Sequence, residues 1–167
     1  MVYLTVKIQS SLNIILNMRI YRCHGSLVIE FRLIIQLTGF AMARRNGYHS
    51  AKAAAFFPFV FVKSEEFATP IFINHERIHF RQQIETLFIG SWILILMEDI
   101  YSRVFLKLES PDYYLYRAGE QEAYCNQHNF NYLKNRLWFS LFTYLRNKRK
   151  LTSIPNRPPE VIVGDLL

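Results

Sequence analysis

The chain has 167 residues, enough for one domain that buries a hydrophobic core of its own without disulfide staples. Its two cysteines, Cys23 and Cys125, cannot form a disulfide framework, and because no export signal is recognisable a reducing, cytoplasmic setting is expected. Lys and Arg outnumber Asp and Glu by 20 to 13, and this net charge of +7 would suit nucleic acid or an anionic membrane surface but establishes neither.

Residues 1–40 alternate short apolar stretches with scattered charges and have neither a steady helical period nor a clean strand alternation. We expect them to form an N-terminal extension of uncertain order. The alternative is that they are upstream sequence read from too early a start, since Met42 would begin a compact remainder. The main domain is expected over residues 41–147. Within it, the run Phe59–Val62 has strand-forming residues, bounded by Pro58 before it and polar residues after it.

A helix is predicted from about Pro70, because Thr69 can cap it and proline has no amide hydrogen to lose at the first helical position. His75 and His79 are one turn apart and project from the same face. Apolar residues cover most of the remaining circumference, so we expect a central helix with both histidines inside.

The next apolar stretch, Leu87–Met97, has about half of the roughly 20 residues that a membrane span requires, and Glu98 and Asp99 end it. The stretch therefore predicts a buried helix, with peripheral membrane contact left open. Ser110 to Asp112 should then break the chain, and Gly119 is a second weak point.

Residues 120–147 have apolar residues at helical spacing and predict one or two further helices. Residues 148–167 form a basic, proline-containing tail. Its cations suit a solvated helix end better than a nucleic-acid patch, because no nucleic-acid motif accompanies them.

The segment His75-Glu76-Arg77-Ile78-His79 has the HExxH pattern of zinc hydrolases. Histidines at i and i+4 supply two zinc ligands from one helix face. The glutamate after the first histidine can accept a proton from a water molecule that zinc has made more acidic. Glu76 is thus the candidate catalytic base. A histidine as third ligand is excluded, because Glu85 occupies its position in the longer motif.

A glutamate on a later helix is the other source of a third ligand. Glu122 to Asn126 resembles the ExxxD pattern of thermolysin-like gluzincins and the ExxAN pattern of other intracellular zincins. The resemblance implies Glu122 as ligand, with Glu120 as the alternative, and Asn126 as the group that orients a ligand histidine. Gln82 and Gln83 are expected to brace the site through hydrogen bonds.

The combination of NHERIHFRQQ with EQEAYCN also resembles small uncharacterised bacterial zincin-like proteins, over residues 57–144. The resemblance implies a predominantly helical α+β fold, zincin-like, with a short β element upstream of the HExxH helix and the third ligand on a later helix. It implies a Zn²⁺ site and supplies no substrate. The HExxH site is what leads us to expect peptide-bond hydrolysis, with a peptide or protein as the substrate. In zincins an edge strand can bind an extended peptide, and Phe57–Lys63 is placed to be that edge.

Two alternatives to a zinc metallopeptidase stay open. One is an inactive relative in which zinc only ties two helices together. The other is a basic helical protein, peripheral to a membrane or bound to nucleic acid, that carries HExxH by chance. The residue that would stabilise an oxyanion is also open among five candidates: His128, Tyr113, Tyr114, Tyr116 and Tyr124.

Overall fold

The computed structural model describes residues 3–4, 19–30, 53–109, 112–150 and 153–154. In these ranges the chain is mixed α+β, with one sheet beside a larger helical part. The sheet has five strands, which are β1 (Tyr3–Leu4), β2 (Arg19–Cys23), β3 (Ser26–Glu30), β4 (Ala53–Phe56) and β5 (Phe59–Val62). A single turn of 3₁₀ helix, Glu65–Phe67, connects the sheet to the helices.

The strand order is β1-β2-β3-β5-β4. Strands β2 and β3 form an antiparallel hairpin whose two turn residues, His24 and Gly25, have positive φ, as a two-residue hairpin turn requires. Strand β3 pairs in parallel with β5, and β4 pairs antiparallel with β5. The sheet therefore unites residues on both sides of position 40. Strands β1, β2 and β3, which lie in the expected N-terminal extension, belong to the same sheet as β4 and β5.

The predicted strand Phe59–Val62 is confirmed, but its expected place at the edge is wrong. It lies between β3 and β4, so both of its backbone edges are paired. Strand β4 lies at that end of the described sheet instead, and Gln83 donates a hydrogen bond to the carbonyl of Ala55. The peptide-binding edge expected at Phe57–Lys63 is thus not present.

The helix predicted from Pro70 is confirmed as α1, Pro70–Glu85. Thr69 caps it, since the side-chain oxygen accepts a hydrogen bond from the amide of Phe72 at 3.3 Å. One side of α1 packs on the sheet through Ile73 and Phe80, which join a core of sheet residues: Tyr21, Cys23, Val28, Val60 and Val62. The opposite side of α1 presents the histidines to a later helix.

The second helix, α2 (Ile89–Ile100), continues into a wider π-helical turn at Tyr101–Phe105. It is not the buried helix that its apolar sequence predicts, because most of its large apolar side chains are exposed. Leu87 and Phe88, which join α1 to α2, both have positive φ. In the part of the chain that the structure describes, no helix is both long enough and apolar enough to cross a membrane.

The remaining helices are α3 (Asp112–Leu115), α4 (Ala118–Asn126), α5 (Tyr132–Asn135) and α6 (Ser140–Arg146). Helix α4 packs against α1 and α6. Gly119 was expected to interrupt the helical structure, but it lies in the first turn of α4. The first residues of the predicted C-terminal tail pack on the helices, because Lys148 contacts Glu98 and Ile154 is buried. Residues 151–152 and 155–167 of that tail lie outside the described residues.

Candidate metal centre

Three side chains converge where α1 faces α4. His75 and His79 come from successive turns of α1, and Glu120 comes from the first turn of α4. The two histidine Nε2 atoms are 3.1 Å apart. The Glu120 carboxylate lies 3.4 Å from His75 Nε2 through one oxygen and 3.6 Å from His79 Nε2 through the other. These three residues form the metal cluster.

The spacing of the cluster fits a tetrahedral metal ion. Nitrogen and oxygen ligands at about 2.0–2.1 Å from zinc, at tetrahedral angles, are about 3.3 Å from one another. The two Nε2 atoms at 3.1 Å, and His75 Nε2 and the nearer Glu120 oxygen at 3.4 Å, lie close to that value. One ligand atom from each of the three residues can be chosen so that all lie within 4.8 Å of one another. Two histidines and one carboxylate are also a donor set that zinc prefers.

Two glutamine side chains fix the histidine tautomers. His75 Nδ1 donates to Gln127 Oε1 at 3.1 Å, and His79 Nδ1 donates to Gln82 Oε1 at 2.8 Å. The Gln82 amide is itself oriented, because its nitrogen donates to Glu122 and to the carbonyl of Gly119. Each neutral imidazole therefore has its proton on Nδ1 and a free lone pair on Nε2, directed into the cluster.

The electrostatics of the cluster favour a positive charge at its centre. Burial lowers the pKa of His79, but the Glu120 carboxylate outweighs it and the pKa rises to about 9. Burial likewise opposes ionisation of Glu120, yet His79 and His75 bring its pKa well below the ordinary value. Glu120 Oε2 is buried and is without a hydrogen bond among the described residues. A proton or a metal ion can satisfy these converging lone pairs.

Glu76 is buried beside the cluster, on α1 between the two histidines. Burial raises the pKa of its carboxyl group, and the charge of Glu120 raises it further, while His75 and His79 act in the opposite direction. A raised pKa makes a carboxylate a stronger base, which suits a residue that must accept a proton near neutral pH.

Glu122, the preferred third ligand, does not lie in the cluster, and the structure brings the alternative candidate, Glu120, to the histidines instead. The two residues are about 200° apart around a helix, and α4 turns only Glu120 toward the histidines. The Glu122 side chain is fully buried and accepts hydrogen bonds from Gln82, Tyr132 and Arg136. It thereby acts on the cluster indirectly, by holding the amide that orients His79.

Of the residues predicted to brace the site, one contacts the cluster and two do not. Gln82 contacts the cluster as expected, whereas Gln83 bonds to the backbone of Phe57 and Ala55 in the β4–β5 hairpin. Asn126 donates to Tyr144 and to the carbonyl of Glu122, so it orients neither histidine. Gln127 takes that role. Its spacing of seven residues from Glu120 places both on one face of the helix and could have identified it.

Among the candidates for oxyanion stabilisation, Tyr124 and Tyr114 are closest to the cluster. The Tyr124 ring lies 4.8 Å from the His75 ring, edge to face. Burial and the nearby Glu120 charge both raise the pKa of the Tyr114 hydroxyl well above its usual value, so it stays protonated and able to donate. His128 is exposed, and Tyr113 and Tyr116 contact Arg103 and Lys148 respectively.

Comparisons of the chain with protein-family models, with curated proteins and with solved structures gave no match. The resemblance to zincin-like proteins therefore stays a prediction from residues 57–144.

Proposed function

We propose that the protein is a zinc-dependent hydrolase of peptide bonds, with a zincin-like helical unit built on α1 and α4. The observation that carries the proposal is the convergence of two Nε2 atoms and one carboxylate, with both Nδ1 atoms bonded to glutamine oxygens. Ordered hydrogen bonds to the far side of each ligand histidine are the usual companion of a zinc site.

His75, His79 and Glu120 would hold the ion. Zinc bound there would supply a Lewis acid that polarises a substrate carbonyl and makes a water molecule more acidic. The Glu76 carboxylate would accept the proton of the attacking water and return it to the departing amine. Tyr114 and Tyr124, whose hydroxyls stay protonated, are the nearest candidates to donate a hydrogen bond to the substrate oxygen.

A catalytic role is favoured over a purely structural one for two reasons. Structural zinc sites have four protein ligands, whereas catalytic sites have three and leave one position for water or substrate. Among the described residues, the cluster has three. The His79 side chain is 16% exposed, so the site is open to solvent on one side.

The first test measures zinc content. Purified protein should bind about one zinc per chain, and the double variant His75→Ala, His79→Ala should bind none at this site. Substitution of His24, which is exposed in the β2–β3 hairpin, is the control. Equal zinc content in the wild type and the double cluster variant would mean that these residues are not ligands.

The second test separates catalysis from metal binding. Glu76→Gln should keep the zinc and lose at least about 100-fold in peptide cleavage, because an amide cannot accept the proton. Glu109→Gln, at an exposed position, should cleave as the wild type does. Full activity in Glu76→Gln would place the base elsewhere. Zinc binding without cleavage of any peptide in a diverse library would favour the structural-zinc alternative.

A further inference from the structure

Helix α2 and the turn that follows it expose an apolar surface along their whole length. Leu96 and Met97, near the middle, are 60% and 63% exposed, and Leu87, just before the helix, is 81% exposed. Exposed residues recur every three or four positions, which places them on one side of the helix. We call this surface the apolar face; it comprises Leu87, Ile89, Trp92, Ile93, Leu96, Met97, Ile100, Tyr101, Val104 and Phe105.

The polar groups of this segment are turned away from the apolar face. Ser91, Glu98 and Ser102 are buried on the opposite side of the helix. The carboxylate of Glu98 accepts hydrogen bonds from the amide of Ala118 and from Lys148. Both oxygens of Asp99 are bonded by Arg117, each at 2.7 Å. The two acidic groups that end the apolar sequence are therefore neutralised inside the protein.

The charges that remain exposed on this segment are all positive. Between Leu87 and Lys107, the exposed charged residues are Arg103 and Lys107, both at the C-terminal end of the apolar face. The Arg103 side chain is 43% exposed, although one of its nitrogens lies 3.9 Å from the Asp99 carboxylate and the guanidinium lies over the Tyr113 ring. Tyr101 and Trp92 are its amphipathic aromatic residues, and both are about half exposed. Apolar residues with aromatic groups and a cationic border are the composition of helices that lie in a membrane surface.

We infer that the apolar face lies in the headgroup region of an anionic lipid bilayer, with the axis of α2 along the membrane plane. Arg103 and Lys107 would contact lipid phosphates, while the aliphatic side chains would enter the acyl boundary. A protein interface of this extent would carry a polar rim with a hydrogen bond for every 100–200 Å² or so. Here the polar side chains available for such a rim are Trp92, Tyr101 and the two cations, which are fewer than an interface of this extent would use. The inference does not depend on the proposed zinc chemistry.

The test is sedimentation of the full chain with vesicles of phosphatidylcholine containing one third phosphatidylglycerol. The double variant Leu96→Glu, Met97→Glu should bind at least about tenfold more weakly than the wild type, because two apolar side chains that would enter the acyl boundary become charged. Leu27→Glu, Phe130→Glu adds the same two charges at exposed apolar positions elsewhere and should bind as the wild type does. His75→Ala should also bind as the wild type does.

Two further measurements resolve the separate contributions. Arg103→Gln, Lys107→Gln should weaken binding to the anionic vesicles at least about tenfold, and Arg22→Gln, Arg77→Gln should not. The chain has two tryptophans, so a Trp138→Phe variant leaves Trp92 as the reporter. Its emission should shift to shorter wavelength when anionic vesicles are added, as the indole enters an apolar medium.

Three results would overturn the inference. The first is a wild-type protein that does not sediment with anionic vesicles. The second is equal loss of binding in the Leu96, Met97 variant and in the Leu27, Phe130 control, which would indicate a general charge effect. The third is a wild-type dimer that the Leu96, Met97 variant converts to a monomer without any change in vesicle binding, since the apolar face would then be covered by a second copy of the chain.

Discussion

The contact between α1 and α4 and the apolar face of α2 are built in opposite ways. Between α1 and α4, buried polar groups are joined in a continuous chain of hydrogen bonds, from His79 through Gln82 and Glu122 to Arg136 and Glu85. On the outer side of α2, large apolar groups are exposed. The first region has the composition of a surface yet is buried, and the second has the composition of a core yet is exposed.

The comparison indicates what each region lacks. Buried polar groups are tolerated when every member is satisfied, and the hydrogen bonds around the histidines leave one set of lone pairs, at Nε2 and Glu120, directed at a common point. Apolar groups in water cost free energy in proportion to their area, and patches of this extent mark contact with a membrane or a partner. A cation would complete the first region, and an apolar medium would complete the second.

The largest difference between the two regions is expected in stability. Arg136→Met removes the cation shared by Glu85 and Glu122 and leaves two buried carboxylates near each other, which should lower the free energy of unfolding by about 3–5 kcal/mol. Leu96→Ala, on the apolar face, should change it by no more than about 0.5 kcal/mol. Urea unfolding measures both. A loss under about 1 kcal/mol for Arg136→Met would show that the buried network is not needed for the fold.

Local sequence predicted the elements near the histidines well, because the determinants there are local. Thr69 and Pro70 start α1 by capping chemistry, and the i, i+4 spacing alone puts His75 and His79 on one face. The place of Phe59–Val62 was wrong because an edge is a property of pairing. Residues 26–30 pair with this strand across more than twenty intervening residues, and nothing in either segment specifies that partner.

The exposure of α2 was not predicted, and the sequence left Glu120 only as the alternative to Glu122, for a related reason. An apolar helix is buried only if other elements pack over it. The hydrophobicity of its sequence gives the composition of the helix and does not show which elements pack against it. Glu120 and Glu122 have the same chemistry and differ in the direction they take from α4. That direction is set by Gly119 and Gln127 on the α1 side and by Arg136 and Tyr132 around Glu122.

The next prediction separates the two glutamates by zinc affinity. Glu120→Gln should bind zinc at least about 100-fold more weakly. Loss of a residue that only hydrogen-bonds to a metal ligand costs about 10- to 100-fold in affinity, and loss of a ligand should cost more. Glu122→Gln should weaken zinc binding by about tenfold or less, through Gln82. Chelator competition measures both variants. Vesicle binding should stay at the wild-type level in each, since α2 is unchanged, and a reversed order of zinc affinities would return the third ligand to Glu122.

A smaller effect on zinc affinity is expected from Gln127 and Asn126, the two adjacent residues that are candidates for orienting His75. Gln127→Ala removes the acceptor of the His75 Nδ1 proton and should weaken zinc binding by about 10- to 100-fold. Asn126→Ala removes bonds to Tyr144 and to the α4 backbone, so its zinc affinity should stay near the wild-type value. The same competition measurement applies. Comparable losses in both variants would mean that α4 responds as a unit and that no single side chain positions His75.

The smallest expected effect tests how closely α4 approaches α1. A Cβ atom at Gly119 would lie 2.9 Å from Gln82 Oε1, the atom that accepts the His79 proton at 2.8 Å. Gly119→Ala should therefore displace the Gln82 amide and weaken zinc binding several-fold, although alanine favours a helix over glycine by about 1 kcal/mol. In a Gln82→Ala background the same change should cost nothing further, because the displaced group is already absent. Gly90→Ala, in the first turn of α2, is the control: its added Cβ would lie 3.1 Å from Thr86, and it should leave zinc affinity unchanged. Additive losses in the double variant would show that Gly119 acts through the backbone of α4 and not through Gln82.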